Sequence, residues 1–137
     1  MAIIKYLILI NHIRQLKKKQ ANFEDFITKK LNLTKEFRTL EELKERKFDC
    51  DYYISGSDQI WNLATVDFDW SYYLEFVNKG IKLSYATSFG PKVQNWSEEE
   101  KKRIKEDLEK YKYISVREKG SYHNVVKLTE IEPDINI

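Results

Sequence analysis

Residues 54–62 read ISGSDQIWN and place several polar side chains together behind an apolar run. A carboxylate such as that of Asp58 can accept a hydrogen bond or a proton, and Ser57, Gln59 and Asn62 can form further hydrogen bonds. This grouping is typical of the rim of a binding site. The structural alternative is an ordinary strand-to-helix turn, in which Ser57 or Asp58 caps the helical turn that follows.

The glycine of this segment, Gly56, is one of only four in the chain. A glycine at such a point indicates a backbone geometry that other residues avoid, or a close approach that a Cβ atom would block. The residues before it, 52–55, are aromatic and apolar and predict a β-strand. The polar segment therefore follows the carboxyl end of a strand.

Strand and helix patterns alternate from Cys50 onward. Aromatic and β-branched runs predict extended segments at residues 52–55, 70–77, 81–89 and 113–116, with another strand beginning in 134–137. A capping box at residues 97–100 opens a charged helix with Ile104 and Leu108 on its buried side, and a later helix carries Val125. This order predicts an α/β fold, a parallel Rossmann-like sheet with crossover helices.

The carboxyl ends of parallel strands are where α/β folds bind ligands. Three such ends carry polar or special residues, at 56–62, 88–90 and 117–118. Ser88 and Arg117 therefore join the candidate site. No Gly-rich phosphate-binding motif is present, and no cluster of ligands predicts a metal.

Residues 1–47 have a helical character and no strand signal. Apolar residues recur at helical spacing along the first 16 residues, Asn22 can cap a second helix, and residues 39–42 have the form of a capping box. The apolar run is too short to span a bilayer and has no signal-peptide cleavage site. We expect these helices to pack on protein, with peripheral membrane contact as the alternative.

Charge and cysteine content exclude several classes of function. The chain has 24 basic and 22 acidic residues and a net charge of +2, so it lacks the basic excess typical of nucleic-acid binding. Its single cysteine, Cys50, cannot form an internal disulfide. A cytoplasmic protein, at the inner face of the membrane if the first helix binds lipid, is the expectation.

Three stretches resemble the polysaccharide pyruvyl transferase family. They are DYYISGSDQIWN, YYLEFVNKGIKLSYATSFG and YISVREKGSYHNVVKLTEIEPDI, which stand in the family's order between residues 51 and 135. The helical stretch before them, from about residue 20, is also similar to the family. GSDQIWN followed by SYATSFG and SVRE at these spacings is a specific combination.

The resemblance implies a place for this chain within a larger fold. It suggests a helical lead-in at residues 1–47 and, at 48–137, most of the Rossmann-like N-terminal half of a two-domain, GT-B-like transferase. The family's initial strand and loop have no match here, and its second, donor-binding domain is not in this sequence. An incomplete sheet with an open edge would favour self-association.

The resemblance also implies a reaction, transfer of the enolpyruvyl carbons of phosphoenolpyruvate to two sugar hydroxyls as a ketal, in cell-surface polysaccharide synthesis. Asp58 would then be the catalytic group on the acceptor side. The other expected substrate-binding residues are Gly56, Ser57, Gln59, Trp61, Asn62, Ser88 and Arg117. Trp61 would stack on a sugar ring or belong to the core, and Arg117 would bind a donor anion or form a salt bridge.

No cofactor follows from this resemblance, because phosphoenolpyruvate is the donor substrate. The partners expected are this donor and a saccharide acceptor. With its donor-binding domain absent, we do not expect the chain to be active alone. The alternative is a non-catalytic, truncated protein or pseudoenzyme that binds a glycan or a partner chain.

Overall fold

The computed structural model describes residues 2–91 and 94–135 of the 137-residue chain. Its internal contacts divide the chain into two units, Met1–Glu36 and Phe37–Ile137. The predicted division after residue 47 stays a prediction. No helix in the described part of the chain is both long enough and apolar enough to cross a membrane.

The first unit contains one long helix, α1, which spans Ala2–Lys30. The prediction that Asn22 caps a separate helix is wrong, because α1 continues through it without a break. Pairs of side chains four residues apart support this continuity. Gln20 donates to Glu24 at 2.9 Å, and Lys29 Nζ lies 2.7 Å from Asp25 Oδ1.

The second unit begins with a short helix, α2, at Leu40–Glu45. The predicted cap at its start is present, since the Thr39 hydroxyl accepts a hydrogen bond from Glu42 N at 3.2 Å. The carboxylate of Glu42 accepts from the backbone of Arg38 rather than from that of Thr39.

The sheet of this unit is parallel, as predicted. Its strands are β1 (Tyr52–Asp58), β2 (Ile81–Thr87), β3 (Tyr111–Tyr113), β4 (Ser115–Val116) and β5 (Asp134–Ile135). The order across the sheet is β1, β2, β4, β5, with β3 also paired to β2. Residues 136 and 137 of the last predicted strand lie outside the described residues.

Two crossover helices cover one face of the sheet. They are α3 (Glu98–Leu108), opened by the predicted capping box of Ser97 and Glu100, and α4 (Lys119–Thr129). The two helices contact each other, so they lie on the same side. Together with the sheet they enclose the core, whose fully buried side chains include Trp61, Tyr73, Phe89, Ile104, Leu108, Val116 and Val125. The mixed α/β, Rossmann-like fold class is thereby confirmed.

Residues 70–77 are not extended, contrary to the prediction. A 3₁₀ helix occupies Trp70–Tyr73, and its first turn is capped by Asp69, whose carboxylate accepts from Ser71 N at 2.7 Å. Leu74 then adopts φ 57°, which ends the turn. The aromatic residues that suggested a strand instead fill the core, where Tyr73 is fully buried.

A cluster of charged residues lies where α3 returns to the start of β3. This amino-end cluster consists of Glu75, Arg103, Asp107 and Lys110. Arg103 donates two hydrogen bonds to Glu75, at 2.6 and 2.8 Å, and its guanidinium lies 3.8 Å from the ring centroid of Trp70. Lys110 donates to Asp107 at 2.8 Å.

Burial raises the pKa of Asp107, which is only 2% exposed, despite its hydrogen bond from Lys110. Burial acts in the same direction on Glu75, but hydrogen bonding, with the two bonds from Arg103 foremost, outweighs it and holds the pKa of Glu75 below the usual value. The two carboxyl groups therefore differ, and a proton shared between them resides on Asp107.

Candidate functional site

The close approach predicted at Gly56 exists. Its φ is +144°, and a Cβ atom built there would lie 2.1 Å from the carbonyl oxygen of Tyr85 on β2. Both the conformation and the lack of space require glycine at this position. Gly56 thus lets β1 run closely beside β2 up to the point where the polar residues begin.

Asp58 ends β1 with φ 105°, a value that residues other than glycine rarely adopt. Its Oδ1 accepts from the backbone N–H of Gln59 at 2.8 Å and from Arg117 Nη1 at 3.2 Å. These two bonds, the backbone one first, hold the pKa of Asp58 below its usual value. The carboxylate is thus ionised and oriented while its side chain remains 73% exposed.

Backbone hydrogen bonds join the three strand ends that the sequence singled out. Ser88 N donates to Asp58 O at 2.9 Å, and Trp61 N donates to Ser88 O at 3.2 Å. Arg117 N donates to Thr87 O at 3.0 Å. The segments after β1, β2 and β4 therefore form one surface, as the parallel arrangement predicts.

Ser88 is only 1% exposed. Its hydroxyl therefore does not face a ligand, contrary to the prediction. That hydroxyl donates to Glu118 Oε1 at 2.9 Å and accepts from Gly90 N at 2.8 Å. Ser121, which is fully buried, also donates to Glu118. Two buried hydroxyls therefore position this carboxylate. We call Asp58, Ser88, Arg117, Glu118 and Ser121 the carboxyl-end cluster.

Arg117 forms the salt bridges that were the alternative to anion binding. Besides its bond to Asp58, its Nε lies 3.6 Å from Glu118 Oε2. Its charge is thus shared between two carboxylates, and its role toward a donor anion stays a prediction.

Trp61 is fully buried, so of its two predicted roles the structure shows the place in the core and not the stacking on a sugar ring. Its indole stacks on Tyr73 instead, with ring centroids 5.6 Å apart and planes at 14°. Tyr73 also donates a hydrogen bond to the Trp61 carbonyl at 3.3 Å. Trp61 therefore anchors the polar segment to the core, while its exposed neighbour Asp58 stays accessible to a ligand.

Two cavities flank Gln59. One, of about 280 Å³, is lined by Asp58, Gln59, Thr65, Asp67, Tyr72 and Ile60. The other, of about 500 Å³, is lined on its polar side by Gln59, Asn62, Gln94, Asn95 and Glu100. Asn62 Nδ2 donates to Gln59 Oε1 at 3.1 Å, which holds these two amides together.

Gly90 is the reason that the amides can pack so closely. Its φ is +87°, and a Cβ atom there would lie 2.5 Å from Asn62 Nδ2 and 2.9 Å from Gln59 Oε1. Gly90 therefore lets the segment after β2 approach the one after β1.

Gly56 and Ser57 face a different region from the other predicted residues. They line a mainly apolar cavity of about 390 Å³, with Ile54, Leu83, Tyr85 and Tyr113. The structure thus groups Asp58, Gln59 and Asn62 around the two polar cavities and separates Ser57 from them.

Sequence reasoning missed the supporting residues of this site. Ser121 follows Glu118 by three residues at the start of α4, a spacing that places the two side chains together. Asp67 had no comparable signal, because the irregular loop after Trp61 brings it to the cavity. Within residues 2–91 and 94–135, no group of three or more His, Cys, Asp or Glu side chains could hold a metal ion.

The fold and this surface define a class: a parallel α/β protein with polar groups gathered at the carboxyl ends of its strands. The family model of the polysaccharide pyruvyl transferases matches the chain over residues 4–134. The chain belongs to this family. No curated protein and no solved structure matches it.

Proposed function

We propose that this chain provides the acceptor side of a phosphoenolpyruvate-dependent pyruvyl transfer to a saccharide, in the synthesis of a cell-surface polysaccharide. Family membership supports the reaction class. The observation that carries the acceptor role is the ionised, exposed Asp58, which lines the smaller polar cavity together with the hydroxyls of Thr65 and Tyr72. The second cavity, on the other side of Gln59, adds amide and carboxylate groups. Such groups can donate hydrogen bonds to the hydroxyls of a sugar and accept hydrogen bonds from them.

The reaction uses two sugar hydroxyls. Each of them loses its proton to an acceptor when its oxygen bonds to the donor carbon. Protonation of the donor's methylene carbon allows the first hydroxyl oxygen to bond to the carbon that bears the phosphate. Phosphate then leaves with its bonding electron pair, and the second hydroxyl oxygen takes its place to close the ketal. One hydroxyl proton balances the proton gained by the methyl group, and the other leaves with phosphate.

Asp58 is suited to hold the acceptor hydroxyls and to accept a proton as an oxygen begins to bond. Its lowered pKa makes it a weak base for a free hydroxyl. We therefore assign it the proton transfer that accompanies bond formation, because the hydroxyl becomes strongly acidic as its oxygen bonds to the donor carbon. Arg117 keeps the carboxylate ionised and pointed toward the cavity until then.

The donor's phosphate and carboxylate need cations that this cluster does not supply in excess. Asp58 and Glu118 carry two negative charges against the one positive charge of Arg117. We propose that a second α/β half of the kind the family resemblance implies binds the donor, and that the chemistry takes place between the two halves, in a cytoplasmic enzyme.

A second candidate function is glycan binding without transfer. It is favoured by the same charge balance, because a site with excess carboxylate suits neutral hydroxyls better than an anionic donor. The two functions share the acceptor site and differ only in whether phosphoenolpyruvate is consumed.

The test is phosphate release from phosphoenolpyruvate by the 137-residue chain, alone and joined to a donor-binding half from the same family. Acceptors carrying galactose, glucose or N-acetylmannosamine are supplied, and the ketal product is detected by mass spectrometry. We expect acceptor-dependent release from the joined protein and not from the chain alone, and we expect Asp58→Asn to lower it about 100-fold or more. Asp49→Asn, a matched change of an exposed aspartate outside the site, is expected to retain full activity.

Acceptor binding without phosphate release in either form of the protein would favour the second candidate. Release that Asp58→Asn leaves intact would contradict the role assigned to Asp58.

A further inference from the structure

The long helix α1 carries an exposed apolar stripe with a regular spacing. Ile13, Leu16, Gln20, Phe23 and Ile27 follow one another at alternating intervals of three and four residues. We call these five residues the seam. In a helix, this spacing places side chains in one line, and its 3.5-residue period is that of helices that wrap around each other.

The seam is open to solvent in a single copy of the chain. Ile13, Leu16 and Phe23 are 44%, 50% and 63% exposed. A helix of this kind obtains most of its stability from packing of its apolar face, because helical propensity alone is marginal in water. The apolar residues of the seam therefore call for a partner that presents a matching stripe.

The polar and charged residues around the seam select a second copy of α1. Gln20 is the one polar member of the seam, and in a parallel pair it faces Gln20 of the second copy, where the two amides can hydrogen-bond. Lys19 and Glu24 flank the seam at the two positions that meet across a parallel pair. Gln20 also donates to Glu24 within α1, which holds that carboxylate beside the seam.

A membrane surface fits these features less well. Helices that lie on lipid combine a broad apolar face with basic residues on the polar side. The seam is interrupted by Gln20, and acidic Glu24 and Asp25 follow the basic run at residues 17–19.

We propose that α1 joins two copies of this chain through a parallel, in-register helix pair along the seam. Its apolar members supply the affinity, the facing Gln20 residues set the register, and Lys19 of each copy pairs with Glu24 of the other. This interface is independent of the proposed function, because it uses no residue of the carboxyl-end cluster.

The test is sedimentation equilibrium of the full chain over a range of about 1–100 µM, which spans the affinities expected of short helix pairs. We expect twice the mass of one chain at the upper end. Phe23→Glu should weaken the dimer by about 100-fold, since it places two carboxylates in the apolar seam. Leu33→Glu makes a comparable change at an exposed residue outside the seam and should leave the dimer intact.

A charge exchange tests the orientation. Lys19→Glu and Glu24→Lys should each weaken the dimer by about three- to fivefold at low salt, and the double variant should restore it. A chain that stays monomeric, or a dimer that is insensitive to Phe23→Glu, would overturn the proposal. So would binding to anionic vesicles by a chain that is monomeric in solution, and a double variant that fails to restore the dimer would overturn the parallel orientation.

Discussion

The amino-end and carboxyl-end clusters contain similar residue types, carboxylates held by an arginine, but they differ in how open they are to solvent. The amino-end cluster closes on itself: the Glu75 side chain is only 11% exposed and is held by two hydrogen bonds from Arg103. The carboxyl-end cluster stays open, since the side chain of Asp58 is 73% exposed and has a single arginine contact at 3.2 Å.

The difference lies in what holds each carboxylate. In the amino-end cluster, side chains hold side chains, and burial makes each contact matter for folding. In the carboxyl-end cluster, the largest influence on Asp58 is a backbone N–H, and buried hydroxyls fix Glu118 from behind. A carboxylate oriented from behind keeps its front free, which is the arrangement a ligand site needs.

The largest effect is expected where the backbone itself positions the carboxyl-end cluster. Gly56→Ala would force a Cβ atom to 2.1 Å from Tyr85 O, so we expect a loss of about 4 kcal/mol in the free energy of unfolding. Chemical denaturation measures it. Gly120→Ala is the control, because nothing lies within 4 Å of a Cβ there, and it should stabilise α4 by about 0.5 kcal/mol. Equal effects of the two changes would refute this view of Gly56.

Removal of the central carboxylate from the amino-end cluster comes next. Glu75→Ala removes the two charge-assisted hydrogen bonds from Arg103 and should destabilise the fold by about 2 kcal/mol, because Glu75 is nearly buried while Arg103 remains 42% exposed. Glu106→Ala breaks a pair of exposed residues and should cost less than about 0.5 kcal/mol. If the two variants unfold at the same denaturant concentration, the amino-end cluster does not stabilise the fold as proposed.

The stability contributed by the amino-end cluster should depend on pH through Asp107. The folded pKa of Asp107 lies above its usual 3.8, so the folded chain retains a proton that the unfolded chain has released. The stability contributed by this group is present below pH 3.8 and is lost as the pH rises through the folded pKa. Asp107→Asn should therefore gain stability relative to the unmodified chain as the pH rises above 3.8. Denaturation at a series of pH values measures this, and a relative loss over the same range would reverse the assignment.

The smallest effect concerns Asp58 itself. Arg117→Ala should raise the pKa of Asp58 only part of the way to 3.8, because the bond from Gln59 N remains and is the larger cause of the shift. A carbon-detected NMR titration of the carboxyl group measures this. An unchanged pKa would mean that Arg117 does not orient Asp58 in solution.

Most of the sheet and the start of α3 could be predicted from sequence, because strands and capping boxes depend on local patterns. Ser97 and Glu100 form the box expected of their spacing, and the turn residues Gly56 and Gly90 occur where close approach requires them. Local patterns failed at residues 70–77, because aromatic residues fill a core as readily from a 3₁₀ turn as from a strand.

The site was predicted in its location and less well in its parts. The parallel sheet brings the three strand ends together whatever their side chains are, so Asp58 and Arg117 were expected near each other. Whether Ser88 and Trp61 face a ligand or the interior depends on packing between elements distant in sequence. The Ser88 hydroxyl bonds Glu118, 30 residues away, and no local signal specifies that contact.

The most direct test of the central claim, that the carboxyl-end cluster and not the amino-end cluster binds an acceptor, is an NMR titration of the chain with methyl glycosides of galactose, glucose and N-acetylmannosamine. We expect at least one sugar to shift the backbone amides of residues 58–62 and 117–118 and to lose this effect in Asp58→Asn, with residues 103–110 unaffected. Shifts at residues 103–110, or no saturable shift with any of the sugars, would contradict the account.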